Sequence, residues 1–224
     1  KKKIMKKIFL SLAVVGILMS SCTDNGRKVE ANEAQAIEVV KSEATIELTS
    51  VGNGSHVDWR ASHLGGAAPR FGKISLKSAT VLVNEGEMTN ATFVMDMAAF
   101  TVDNFGDDKK SQAELTGHLQ SQDFFEIEKF PTTTFDLARI NPTKTDGFNS
   151  EITGNLAIKG VTKSITFKAN VSVTAEKVSI VSEDFAVDRT EWGLLYNVEG
   201  TEGVPADYLI ANDIGFTIDV NVSK

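Results

Sequence analysis

Disulfide-stapled folds are excluded at once, because the 224-residue chain holds a single cysteine, Cys22. Basic charge is also scarce. The chain has 23 Lys and Arg against 30 Asp and Glu, a net charge of −7. A nucleic-acid binder needs a basic face, and adhesion to an anionic bilayer needs a polybasic patch, so neither class fits. The three histidines, His56, His63 and His118, show no tight metal-ligand spacing. Asp103 to Glu114 has the length of a calcium loop, yet Phe105 fills a ligand position and Asp108 stands where the loop needs glycine. Gly65-Gly66 lacks the spacing of a phosphate cradle, and no Gly-x-Ser-x-Gly nucleophile motif occurs. No cofactor is expected. Long apolar runs are missing too, apart from Phe9 to Met19, which is too short for a permanent bilayer span.

That apolar run follows a lysine-rich start and ends at the small pair Ser20-Ser21. A charged start, a short apolar core and small terminal residues describe an export signal, with Met5-Lys6-Lys7 as its natural opening. Cys22 comes next, and the site resembles a bacterial lipoprotein signal, with Met19 where leucine is usual. The expected organisation is a signal over residues 1–21, a lipidated N-terminus and flexible tether over 22–43, and one β-barrel domain over 44–224. Loss of the signal's five lysines takes the net charge from −7 to about −12. Lipidation of Cys22 would anchor the protein in the cell envelope, facing the periplasm, and would leave no thiol for redox or thiolate-metal chemistry.

From Ala44 onward apolar residues recur with period two. Val57 and Trp59 share one face, as do Ala91, Phe93, Met95 and Met97. Thr133, Phe135 and Leu137 follow, then Ile152, Gly154, Leu156 and Ile158, then Ile165, Phe167, Ala169 and Val171. Phe216, Ile218, Val220 and Val222 close the chain. Alternation of this kind turns one set inward and the other to water, and many such runs separated by turns mean an antiparallel sandwich or closed barrel. One segment breaks the pattern. Asp107 to Gln120 carries acids first and places Leu115 and Leu119 one helical turn apart, which predicts a short amphipathic helix. A loop follows, and Pro131 precedes a strand beginning near Thr132.

Three strings point further. Gly117 to Phe135 reads GHLQSQDFFEIEKFPTTTF; Gly154 to Lys163 reads GNLAIKGVTK; Asp188 to Gly193 reads DRTEWG. In order and spacing, from about Thr45 to Val222, they resemble the signatures of YceI-like proteins. The resemblance implies an all-β fold: an antiparallel, lipocalin-like barrel with a short helix near one mouth. It also implies a non-catalytic envelope protein whose ligand, where known in the family, is a long polyisoprenoid or similar amphiphile lying in the barrel. The loop Ser62 to Arg70 departs from the family pattern in lacking an aromatic and in carrying Pro69.

An eight-stranded barrel can be packed solid or hold one small ligand. On the reading that it is hollow, Trp59, Phe93, Met95, Met97, Leu119, Phe124, Phe125, Phe135, Phe167 and Phe216 form the ligand-binding wall, with Met88 adding soft, adaptable surface. Arg70, Lys163 and Arg189 are the cations available for a polar head at the mouth. The expected partners are an isoprenoid or similar lipid and the membrane reached through Cys22. Two other readings stand beside this one. A solid barrel would act as an envelope interaction module. A lipid-processing enzyme would use His118 and Glu114, one turn apart, as an acid/base pair, although His118 reads more simply as a latch pinning the helix.

Overall fold

The computed structural model describes residues 22–23, 25–39 and 41–224. The expected signal and the Cys22 side chain lie outside the described residues. Eight antiparallel strands close into a barrel. In chain order they are His56–Ala61, Arg70–Asn84, Glu87–Asp96, Thr132–Pro142, Ser150–Ile158, Val161–Val173, a broken strand made of Lys177–Ser182 and Phe185–Asp188, and Asp213–Ser223. Neighbours in sequence pair in space, except that Phe185–Asp188 pairs with Asp213–Ser223 and not with Val161–Val173. The ring closes because His56–Ala61 pairs with Arg70–Asn84 on one side and with Asp213–Ser223 on the other. Closure removes the raw edges that would otherwise invite strand addition from another chain.

The alternation read from the sequence sets which side chains fill the ring. Ala91, Phe93, Met95, Phe135, Leu137, Ile152, Leu156, Ile158, Ile165, Phe167 and Val220 all belong to one buried apolar cluster. A second cluster of Trp59, Met97, Phe100 and Val102 sits at one end, against Leu115, Leu119 and Phe125. The helix Lys109–Gln120 makes that contact, two residues shorter at its start than the acidic run suggests. Asp108 caps it instead, accepting from the Ser111 amide at 3.1 Å.

The helix end of the barrel carries nearly all the irregular chain. The loops 62–69, 97–131 and 189–212 gather there with the turn at Lys159–Gly160, while the turns at 85–86, 143–149 and 174–176 and the two chain ends of the domain lie opposite. Residues 101–103 lie along the outgoing strand: the Thr101 amide donates to Lys73 O at 2.7 Å and the Asp103 amide to Phe71 O at 2.8 Å. Trp59 Nε1 donates to Thr101 O at 3.0 Å. Gly72 permits this approach, since a Cβ there would sit 2.0 Å from Thr101 O and 2.9 Å from Trp59 Nε1.

Arg189 holds the other large loop. Its residue is 2 % exposed. Its Nε donates to Ala211 O at 3.1 Å, Nη1 to Leu194 O at 2.5 Å and Nη2 to Ile210 O at 3.1 Å. Burial lowers its pKa from the usual guanidinium value, and Asp188 beside it opposes the shift. One planar cation thus ties both limbs of the loop 189–212 to the start of the short helix Arg189–Trp192. Trp192, 1 % exposed, is fixed from the other side by donating from Nε1 to Leu156 O at 3.0 Å. The sequence alone groups Arg189 with the cations of the mouth. It is instead a buried clamp, because three convergent carbonyls replace its water.

The stretch expected as tether also differs. Gly26–Lys28 pairs in parallel with Phe185–Ala186, and Asn32–Glu33 pairs antiparallel with Lys163–Ser164. Val29 between them is 3 % exposed and joins the main apolar cluster. Two- and three-residue strands are too short to show a period, so burial of one valine decides their placement.

Two substitutions test this account. Gly72→Ala is expected to lower stability by about 1–3 kcal/mol by overpacking and to red-shift Trp59 fluorescence, followed by urea unfolding. Arg189→Met leaves three buried carbonyls unpaired and should cost about 3 kcal/mol or more, with new proteolytic cleavage between Leu194 and Ala211.

Candidate lipid cavity

The ring is not packed solid. A cavity runs inside it, with about 150 Å3 of space open to the centre of a water-sized sphere. Among the described residues, no polar atom of its wall faces that space. All ten residues singled out from the sequence border it, and they come from two sources. Trp59, Phe93, Met95, Phe135, Phe167 and Phe216 project from strands. Met97, Leu119, Phe124 and Phe125 come from the long loop and its helix, and close the helix end.

Four rings form a row around the wall. Phe135 and Phe167 lie 5.7 Å apart, Phe167 and Phe185 stack at 4.7 Å with planes 3° apart, and Phe185 and Phe216 lie 5.9 Å apart. Offset and tilted rings of this kind pack without closing the lumen. Phe185, Phe100, Leu156, Trp192 and Leu194 also border the cavity and were not singled out. Phe185 and Leu156 were legible as inward residues of their strands. Trp192 and Leu194 reach the lumen only because Arg189 folds their loop back over it.

An apolar cavity on this scale stays dry, because water inside it would find no hydrogen-bond partner. The lining then lacks contact atoms on one side. By the cost of about 24 cal/mol per Å3 of cavity, emptiness disfavours the fold by on the order of 4 kcal/mol. A guest with a polar group inside would lose roughly 2–7 kcal/mol for that group. The arrangement therefore suits a hydrocarbon chain and rejects a buried polar head.

The histidine latch has different partners from those expected. His118 Nε2 lies 3.1 Å from Asp123 Oδ2, and its ring meets Tyr196 edge-on at 4.8 Å and Phe124 at 5.1 Å. Glu114 turns away and sits 3.8 Å from Lys110. The His118/Glu114 pair is thus not formed, because residues four apart on the helix point here to different neighbours. Tyr196 links the helix to the loop 189–212, a long-range contact with no local sequence signal. His56 Nε2 faces Lys73 and Asp58, and His63 Nδ1 lies 2.6 Å from Asp207 O on another loop.

The remaining two cations are committed as well. Arg70 lies over the Phe105 ring at 5.0 Å, and Lys163 sits 3.5 Å from Glu191 and 3.9 Å from Glu33.

Comparison with known proteins agrees with this geometry. Residues 48–222 match the YceI-like domain. A UPF0312 protein of Pseudomonas aeruginosa is 29% identical over 128 residues, covering 57% of this chain and 62% of that protein, so the chain spans about three fifths of that relative's length. A UPF0312 protein of Pseudomonas putida is 28% identical over 166 residues, covering 74% of this chain and 72% of the relative. Among solved structures, Burkholderia cenocepacia BcnA superposes with a TM-score of 0.54 at 18% identity, covering 75% of this chain and 95% of its own. A polyisoprenoid binding domain from Saccharophagus degradans, implicated in plant cell wall breakdown, superposes with a TM-score of 0.54 at 12% identity, covering 80% and 98%. At these identities the superpositions speak for the fold alone. With more than three quarters of its length matched, the chain belongs to the YceI-like domain family.

Proposed function

We propose that this protein is a non-catalytic, lipid-anchored envelope protein that holds the hydrocarbon part of a long apolar or amphiphilic lipid, a polyisoprenoid, in its barrel. The observation that carries the reading is the wholly apolar wall of the internal cavity. The polyisoprenoid binding domain of the same fold supports the choice of ligand class. Affinity comes from burying apolar surface at about 25 cal/mol per Å2, less the cost of ordering the chain. Unsaturated isoprene units suit the row of phenylalanine rings, and the flexible Met88, Met95 and Met97 side chains adapt to whichever chain conformer enters. The polar head stays outside, since nothing in the wall would pair with it.

Native mass spectrometry of protein purified from its host, with lipid extraction, is expected to find a bound lipid. An apolar protein interior empty across preparations would sink the reading. Enlarging Phe93 or Phe135 to tryptophan should narrow the lumen and weaken lipid binding about tenfold or more, a loss of about 1.4 kcal/mol or more, while the barrel still melts cooperatively. His118→Ala should leave the bound lipid chemically unchanged. The anchor is tested separately. Cys22→Ser should move the protein from the membrane to the soluble fraction and abolish incorporation of radiolabelled palmitate.

A further inference from the structure

The barrel wall is incomplete without the segment preceding the family domain. The strand Lys177–Ser182 pairs on both sides, with residues 169–173 of the long strand and with Asp213–Ser223. After the break at Glu183–Asp184 the chain resumes as Phe185–Asp188, which pairs with Asp213–Phe216 but no longer with the long strand. A seam therefore opens between Phe185–Asp188 and the upper part of Val161–Val173. At about 3.3 Å per residue it is roughly 15 Å tall, enough for a hydrocarbon chain to pass sideways.

Residues 25–33 fill this seam. The Arg27 amide donates to Asp184 O at 3.1 Å and the Val29 amide to Ala186 O at 2.8 Å. On the opposite lip Asn32 and Glu33 pair with Ser164 and Lys163. Val29 lies in the same buried cluster as Ile165, Phe167, Phe185 and Val187, which border the cavity. The segment is thus a panel between the lumen and solvent.

Its fastening is polar and peripheral. Arg27 forks onto Glu183 at 3.0 and 2.5 Å, and Glu183 at the break also accepts from the Lys168 amide at 2.7 Å. Lys28 reaches Asp213 at 2.8 Å, and Asn25 Nδ2 donates to Asp213 O at 3.0 Å. Two glycines make room. A Cβ on Gly26, whose φ is +101°, would lie 2.6 Å from Asp184 C, and one on Gly215 would lie 2.4 Å from Asn25 O. One buried valine and a few rim ion pairs put such a segment among the parts of a fold that open first.

We infer that residues 25–33 are a displaceable strap that closes a lateral port, and that lipid enters and leaves the cavity between Phe185–Asp188 and Val161–Val173 when the strap lifts. The inference rests on the lipid-binding reading above. It adds a route and a control point outside the matched domain, residues 48–222. Cys22 pairs back onto Arg27, so an anchor on Cys22 would hold the membrane at the base of the strap.

The test uses the chain in a Cys22→Ser background with Lys28→Cys and Ala186→Cys, which are paired positions on strap and port. Strand partners lie within the Cα separation a disulfide tolerates. Uptake of parinaric acid is followed by its fluorescence. The oxidised form should load and release about tenfold more slowly than the reduced form, with equal affinity at equilibrium, as expected of a gate. Gly26→Ala, which leaves the barrel strands untouched, should load faster than the parent. Equal rates in oxidised and reduced forms, with Gly26→Ala unchanged, overturn the strap while leaving the cavity reading intact. Binding by no form, the parent included, overturns both.

Discussion

Closure of the sheet through the short strand His56–Ala61 is the constraint on which the rest depends. Eight strands joined in a ring fix the diameter of the interior before any side chain is chosen. The inward residues then fill that diameter from all sides, and here they leave a space about 150 Å3 in extent. Every later feature answers to that space. The ends must be shut by chain that is not strand, so the long loop 97–131 brings a helix and two phenylalanines to one mouth. The loop 189–212 brings Trp192 and Leu194, and it can do so only because Arg189 satisfies three of its carbonyls at once.

The chemistry of the interior follows from what is absent from its surface. A binding site with directional contacts would show a charge or a carbonyl aimed into the space. Among the described residues the only charged one at the wall, Arg189, turns its donors to backbone carbonyls. A ligand held in such a space would be selected by hydrophobicity, shape and length rather than by recognition of a functional group. The outside carries the charge: Lys28, Arg27, Lys163 and their carboxylates are all engaged around the N-terminal segment. Polar fastening outside and apolar packing inside let the wall be both sealed and openable.

The wall was legible in the sequence for a simple reason. In a strand the side-chain direction repeats every two residues, so Phe93, Met95, Phe135, Phe167 and Phe216 were assigned to the interior without knowing which strands pair. Leu119, Phe124 and Phe125 were legible from a helix break followed by a run of aromatics, and from the resemblance of the surrounding string. What was illegible was every contact that joins distant segments. Arg189 read as one cation among several, because its three acceptors lie on a loop whose fold-back has no periodic signal. His118 read as a latch on the helix, and Asp123, Phe124 and Tyr196, not Glu114, are its neighbours. The strap read as tether, because Gly26–Lys28 and Asn32–Glu33 are shorter than one full alternation.

The sequence by itself determined the secondary structure class, the identity of the inward faces and the family. These depend on local steric periods and on strings of adjacent residues, and both are written along the chain. The tertiary structure alone decided that the ring is hollow, that Arg189 is buried, and that residues 25–33 complete the wall. Those depend on the ring's diameter against the summed volume of its side chains, and on which carbonyls meet after the chain has closed. Neither quantity is defined until strands far apart in sequence have been brought side by side.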